Sequence, residues 1–291
     1  MKKIRVVSPA KSINKTIVEA AQKWLEQKGF QVSVSPNAIG EHNYFSGSDE
    51  ARLADLQAAM DDEELDVILC ARGGYGSVRL VDKLNYSGCI KKPKLILGYS
   101  DITVFHNRMN IMGFPSGHTT APLNFNENTP EALESLYRLI MGKGNRYEIP
   151  AHEQNRTGEV TAEVVGGNLS IIASLIGTND DLDVQGKILF VEEVGEAIYS
   201  IDRMFHSLKK SGKLESLKGL IVGGMSAIKD SAVPFGKKVE EVISELVSEY
   251  DFPLCFNFPA GHIDDNRAIL LGTEAKLQVG TDQTIFTQTQ G

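Results

Sequence analysis

The sequence predicts an α/β protein: an open, mostly parallel sheet in the first half and a smaller, β-rich unit in the second. Three observations carry that expectation. Strand-like and helix-like stretches alternate from residue 4 to residue 141, as they do when helices cross between parallel strands. The run Leu65–Cys70 is almost continuously apolar, as a strand covered on both faces requires. Past Gly158 the pattern turns richer in strands, and 291 residues are enough for two hydrophobic cores.

Ile4–Val7 is a short β-prone run that stops at Ser8-Pro9. Lys15–Lys28 places Ile17, Ala20, Ala21, Trp24 and Leu25 at helical spacing and ends at Gly29. Phe30–Val34 is a second strand. Ser46-Gly47-Ser48-Asp49 offers capping side chains ahead of a helix over 50–60. After Leu65–Cys70 comes a glycine-rich turn, and a helix is expected from Ser77 to Leu84. Leu95–Leu97 is a strand running into Gly98-Tyr99-Ser100, with a helix over 102–109 and another over 130–141. A polar, aperiodic stretch then supports a boundary: a first domain over 1–145, a linker over 146–158 and a second domain over 159–291. In the second, 159–165, 187–192 and 219–222 are strand-like, and 169–175, 201–210 and 236–249 helical.

Composition removes several function classes. Net charge is −8 with 42% hydrophobic residues, so neither nucleic acid nor an anionic membrane, which need clustered Lys and Arg, is an expected partner. Lys91, Lys92 and Lys94 are more simply a solvated strand entry. The N-terminus has no apolar run long enough for a signal-peptide core, and no stretch is long enough to span a bilayer, so a cytoplasmic location is expected. Cys70, Cys89 and Cys255 lack metal or disulfide spacing, which fits a reducing compartment.

Ser100 is the first candidate for chemistry. A serine hydroxyl needs a base and a sharp turn that exposes it. Gly98-Tyr99-Ser100 provides strand, turn and helix in that order, without the glycine two residues later that marks α/β-hydrolases. By itself it reads as a helix cap. Arg72-Gly73-Gly74-Tyr75-Gly76 also follows a strand, and its amides can hold an oxyanion; neither a phosphate-loop nor a dinucleotide fingerprint is present. Of six histidines, His42 and His152 are expected at the surface and His206 on an amphipathic helix, either solvated or packed. His106, His118 and His262 stay open as bases, His262 being framed by proline and glycine. Glu192-Glu193 ends an apolar strand, where acids are ordinarily solvated, and Asp180–Asp183 is most simply a solvated loop.

Taken together, Arg72-Gly73-Gly74-Tyr75-Gly76, Gly98-Tyr99-Ser100-Asp101-Ile102-Thr103, Gly166-Gly167-Asn168-Leu169, Leu189–Glu193 with Ile201-Asp202-Arg203-Met204, and Gly261-His262 resemble, in order, the LD-carboxypeptidases. That family comprises the murein tetrapeptide carboxypeptidases and includes the microcin C immunity peptidases. The resemblance implies a flavodoxin-like first domain that carries Ser100 as nucleophile. A smaller β-rich domain would bring Glu192 and His262 to complete a triad, with the backbone amides of Asp101 and Gly74 as oxyanion hole. It implies a homodimer and no metal or other cofactor. The substrate would be a small peptide ending in a D-amino acid, D-alanine of a muropeptide tetrapeptide. Arg72 and Arg203 are the candidates for its terminal carboxylate. Pro115–Pro122 departs from the family pattern, in a segment expected to line the substrate cleft. Two rivals remain: a self-immunity peptidase acting on a peptide–nucleotide antibiotic, and a non-catalytic small-ligand module. The first is ranked lower because the single tryptophan, Trp24, lies far along the chain from the motifs.

Overall fold

The structure is a computed structural model describing residues 1–289. The first half runs β1 (Lys3–Val7), α1 (Lys15–Gln27), β2 (Gln31–Val34), α2 (Asp49–Asp61), β3 (Val67–Cys70), α3 (Ser87–Lys91), β4 (Leu95–Gly98), α4 (Thr103–Ile111), β5 (Ser116–His118) and α5 (Pro130–Ile140). Local chemistry starts α1 and α2 where side chains can accept from orphan amides. Asn14 accepts from Thr16 N–H at 2.9 Å, and Ser48 from Ala51 N–H at 3.3 Å. Residues 77–84 depart from the expected helix, forming two short 3₁₀ turns, Ser77–Arg79 and Val81–Lys83.

The second half runs β6 (Asn145–Pro150), β7 (Gly158–Asn168), α6 (Leu169–Ser174), β8 (Ile188–Val194), α7 (Ile198–Lys210), β9 (Gly219–Ser226), α8 (Val239–Leu246), β10 (Leu254–Cys255), β11 (Ile269–Leu271), β12 (Thr273–Val279) and β13 (Gln283–Gln288). The aperiodic stretch after Gly144 thus opens with a strand of alternating burial.

Two sheets result. The first has order β11-β5-β4-β3-β1-β2; its strands are parallel except β11, which runs antiparallel to β5 with Ile269 opposite His118. The second has order β10-β9-β8-β7-β12-β13-β6: four parallel strands flanked by an antiparallel trio. Parallel strands point their carboxyl ends the same way, and ligand sites of open α/β sheets form there.

The halves are tightly joined. Gly167 lies bare against Thr103, where a Cβ would stand 2.5 Å from the hydroxyl oxygen, and that hydroxyl accepts from Asn168 N–H at 2.9 Å. Ile171 and Leu175 pack into the core of the first half beside Phe105 and Met109. Asp180, expected in a solvated loop, is buried: its carboxylate accepts from Arg108 Nε at 2.6 Å and its carbonyl from Asn107 Nδ2 at 3.1 Å. Lys94 is likewise buried rather than solvated, with Nζ donating to Met60 O at 2.8 Å. Among the described residues no helix is long and apolar enough to cross a membrane.

Candidate active site

Strand β4 delivers Tyr99 in an extended conformation, and the chain then reverses into a 3₁₀ turn, Ser100–Ile102, that opens α4. Ser100 sits at φ 65°, a left-handed conformation that costs a non-glycine residue roughly 1–2 kcal/mol. Such strain, kept at a strand-to-helix turn, holds a serine hydroxyl proud of the backbone. The Asp101 amide opens the turn, where N–H groups have no intrahelical acceptor.

The glycine-rich turn after β3 abuts this elbow. A Cβ on Gly73 would lie 2.8 Å from Ser100 Cβ and 3.1 Å from Asp101 N, so only glycine allows the approach. Gly74 lies outside it, exposed, at φ 118°. The turn is pinned from below. Asp101 Oδ2 accepts from Ser77 N–H at 2.8 Å, and the fully buried Arg52 donates to Gly76 O at 3.4 Å. Burial pushes the Asp101 carboxyl above its ordinary range, against the amide bonds that lower it.

Strand β8 supplies the acids. A β-bulge between Val191 and Glu193 interrupts the ladder to β9 at the point where both carboxylates sit. Against the ordinary expectation for a strand end, both are buried, at 0% and 2% exposure. Glu193 is fully engaged, accepting from Asn168 Nδ2, Val194 N–H, Ser170 N–H and Ser170 Oγ at 2.5–3.1 Å. Glu192 Oε2 instead meets the loop after β10, accepting from His262 Nδ1 at 2.7 Å and His262 N–H at 3.2 Å. With Nδ1–H donating, Nε2 keeps its lone pair, and it lies 3.1 Å from Ser100 Oγ. The imidazole is flanked by the ring of Tyr99 at 4.8 Å, whose hydroxyl is anchored on Asn124 Oδ1 at 2.7 Å. Burial works to lower the His262 pKa; the bond to Glu192, its charge and that of Glu193 outweigh this and hold it above the ordinary imidazole value.

The other histidines are disposed of by position. His106 is buried, bonded to Ser116 Oγ and Gly98 O at 3.0 Å each, and pushed down to about 4 by burial. His118 is buried and faces Asn266 Oδ1 at 3.2 Å. In the segment around it, which departs from the family pattern and is expected to line the cleft, Ser116 to Pro122 is buried throughout. His42 and His206 are exposed, and His152 is partly buried against Phe256. Of the arginines, Arg72 is pinned beside the glycine turn by bonds to Gly73 O at 3.3 Å and Ser12 O at 3.1 Å. Arg203 is exposed on α7, over the Tyr199 ring. Among the described residues no group of His, Cys, Asp and Glu is placed to hold a metal ion. The parts of the site not singled out from sequence are Tyr99 as a wall for the imidazole, Glu193 as an internal brace and Asn266.

A family model described as the LD-carboxypeptidase N-terminal domain matches residues 4–119, and one for the C-terminal domain matches 161–277. A Bacillus subtilis relative named "Probable murein peptide carboxypeptidase" is 30% identical over 97% of this chain and 91% of its own length. The chain belongs to the LD-carboxypeptidase family. It is accordingly a serine carboxypeptidase. The murein tetrapeptide carboxypeptidase of Pseudomonas aeruginosa is 28% identical over 95% of this chain and 93% of its own. The crystal structure of muramoyltetrapeptide carboxypeptidase from Oxalobacter formigenes superposes with a TM-score of 0.91, at 25% identity, covering 99% of both chains. A microcin C7 self-immunity protein superposes at 0.87 with 20% identity over 99% of this chain and 96% of its own, a likeness of fold.

Proposed function

We propose that this LD-carboxypeptidase releases the C-terminal D-alanine from muropeptide tetrapeptides by acyl transfer to Ser100. The observation that carries the reading is the continuous relay Glu192–His262–Ser100, at 2.7 and 3.1 Å. His262 Nε2 takes the hydroxyl proton as Oγ attacks the carbonyl carbon, and the imidazolium is stabilised by Glu192. The same proton passes to the departing amine of D-alanine. Water, deprotonated by the now neutral His262, then opens the acyl-enzyme and regenerates Ser100. The amides of Asp101 and Gly74 receive the oxyanion. Arg72 is the stronger candidate for the substrate carboxylate, because its two carbonyl bonds fix the guanidinium next to the glycine turn.

Ser100 stands in the proposed 1–145 domain and its partners in 159–291, so substrate is taken to enter where the ends of β4 and β8 meet the loop that carries His262. A cytoplasmic homodimer acting on recovered cell-wall peptides is the setting this reading adopts from the family. The test is D-alanine release from a purified tetrapeptide muropeptide by wild type and Ser100→Ala. Release by wild type alone is expected. Equal release by the variant would overturn the nucleophile. Cleavage of an acidic aminoacyl-nucleotide in place of the muropeptide would turn the substrate toward the immunity class.

A further inference from the structure

The loop that carries His262 has no ladder of its own: residues 256–268 lie outside any helix or strand. We propose that Asn266 is a positioning residue for the general base, its carboxamide oxygen fixing the Ala260–Gly261 peptide, which leads directly into His262, against a neutral, buried His118. The inference rests on the catalytic reading of Ser100, His262 and Glu192.

Asn266 is 2% exposed. Its Oδ1 accepts from Gly261 N–H at 2.8 Å and stands 3.2 Å from His118 Nε2. A backbone N–H can only donate, so the atom it meets is the carboxamide oxygen. That oxygen can only accept, so His118 presents Nε2–H to it. The tautomer is thereby set, and Nδ1 is left as a lone pair without a hydrogen-bond partner among the described residues. Protonating His118 would bury an unpaired N–H as well as a charge. Its ring is held edge-to-face by Phe190 at 4.8 Å and Tyr99 at 6.0 Å. His118 lies on β5, where it pairs with Gly98 of the nucleophile's strand and with Ile269. The His118–Asn266 bond therefore references the base loop to the sheet that carries Ser100.

Gly261 shows why the peptide's orientation matters. At φ 118° it passes so close to Glu192 that a Cβ would lie 2.7 Å from the Glu192 Cβ. The next residue gives both its N–H and its Nδ1–H to one oxygen, Glu192 Oε2. Turning the Ala260–Gly261 peptide carries Gly261 and His262 with it, spoils both bonds and swings Nε2 away from Ser100. Asn266 is the side chain that accepts the N–H opening that unit.

The test uses the full-length protein, D-alanine release as the assay, and Asn266→Leu, Asn266→Asp and His118→Gln, with Ser100→Ala and His262→Ala alongside. Asn266→Leu removes the acceptor at similar volume; kcat is expected to fall about 10²-fold, as a misplaced base demands, with KM within about twofold. Asn266→Asp keeps the acceptor and adds negative charge near His262. It should restore most of kcat at high pH and move the acid limb of kcat upward, since a further carboxylate favours the imidazolium. The groups facing His262 from its neighbours, Glu192 and Glu193 on β8, Tyr99 and Ser100 at the elbow and His118 on β5, are unchanged in that comparison. His118→Gln, which can still donate from an amide, should lose less than Asn266→Leu. A merely structural role would lower Tm in the Asn266 variants without separating kcat from KM or shifting the limb. Wild-type kcat in Asn266→Leu, or equal loss in Leu and Asp, overturns the proposal. If the Leu variant does not fold, an unshifted limb in Asn266→Asp overturns it too. Activity retained in Ser100→Ala and His262→Ala would instead strike the catalytic reading itself.

Discussion

Ser100 is held in place by the backbone around it, His262 by side chains brought from far along the chain. The elbow is assembled within a few residues: β4 ends, Ser100 takes its left-handed φ, and a 3₁₀ turn leads into α4. The loop that carries His262, the proposed base, has no such frame. It is fastened by Glu192, 70 residues away, by Asn266 within the loop, by His118, 148 residues from Asn266, and by Thr129, whose hydroxyl donates to Asp265 at 3.0 Å. Local strain and the glycine turn packed against it set the proposed nucleophile; a proposed base set by distant acceptors answers to substitutions in several elements.

That contrast can be broken or sharpened by experiment, from the greatest effect downward. Ser100→Ala should cost ~10⁶-fold in kcat, with substrate still bound, as read by single-turnover assay and calorimetry. Glu192→Gln removes the carboxylate that sets the tautomer and steadies the imidazolium, for a loss of about 10³- to 10⁴-fold. Gly73→Ala drives a methyl toward Ser100 Cβ and should cost about 10²-fold with secondary structure by circular dichroism intact. For pH, the sign follows from the base being active only when neutral. Its pKa is held up by Glu192, so the acid limb of kcat/KM should lie above the ordinary imidazole value of about 6.5 and fall in Glu192→Gln. Asp180→Ala removes the buried one of the two carboxylates that pair with Arg108, leaving Asp82 at 2.6 Å, without touching the relay. It should lower unfolding free energy by about 1–2 kcal/mol in denaturant titration, with kcat nearly unchanged.

The same contrast explains what the sequence discloses. Strands β1 to β4, helices α1, α2 and α5 and the elbow are legible because their signals, apolar runs, helical spacing and capping serines, are local. Strand β5 is three residues with a central glycine, and β10 is two; neither is long enough to show a period. In β12 the buried Ala275, Leu277 and Val279 do alternate, so that strand could have been found. Residues 77–84 keep an apolar spacing that suits a helix, yet the Asp101 bond to Ser77 N–H ties their start to the elbow and breaks them into 3₁₀ turns. The burial of Glu192, Glu193 and Asp180 depends on a bulge and on partners from other elements. No window along the chain contains that information. Asn266 is invisible for the same reason: its role exists only once β5 and the base loop are adjacent.

Strand β11 carries a consequence for biogenesis. The first sheet is completed by residues 269–271, which arrive only after the whole second sheet except β12 and β13 has been synthesised. Until then β5 is a bare edge beside β4, which leads to Ser100, and a template for pairing with another nascent chain. A fragment cut after the first half would carry Ser100 on an unfinished sheet, and should be recovered as aggregate rather than as a free domain.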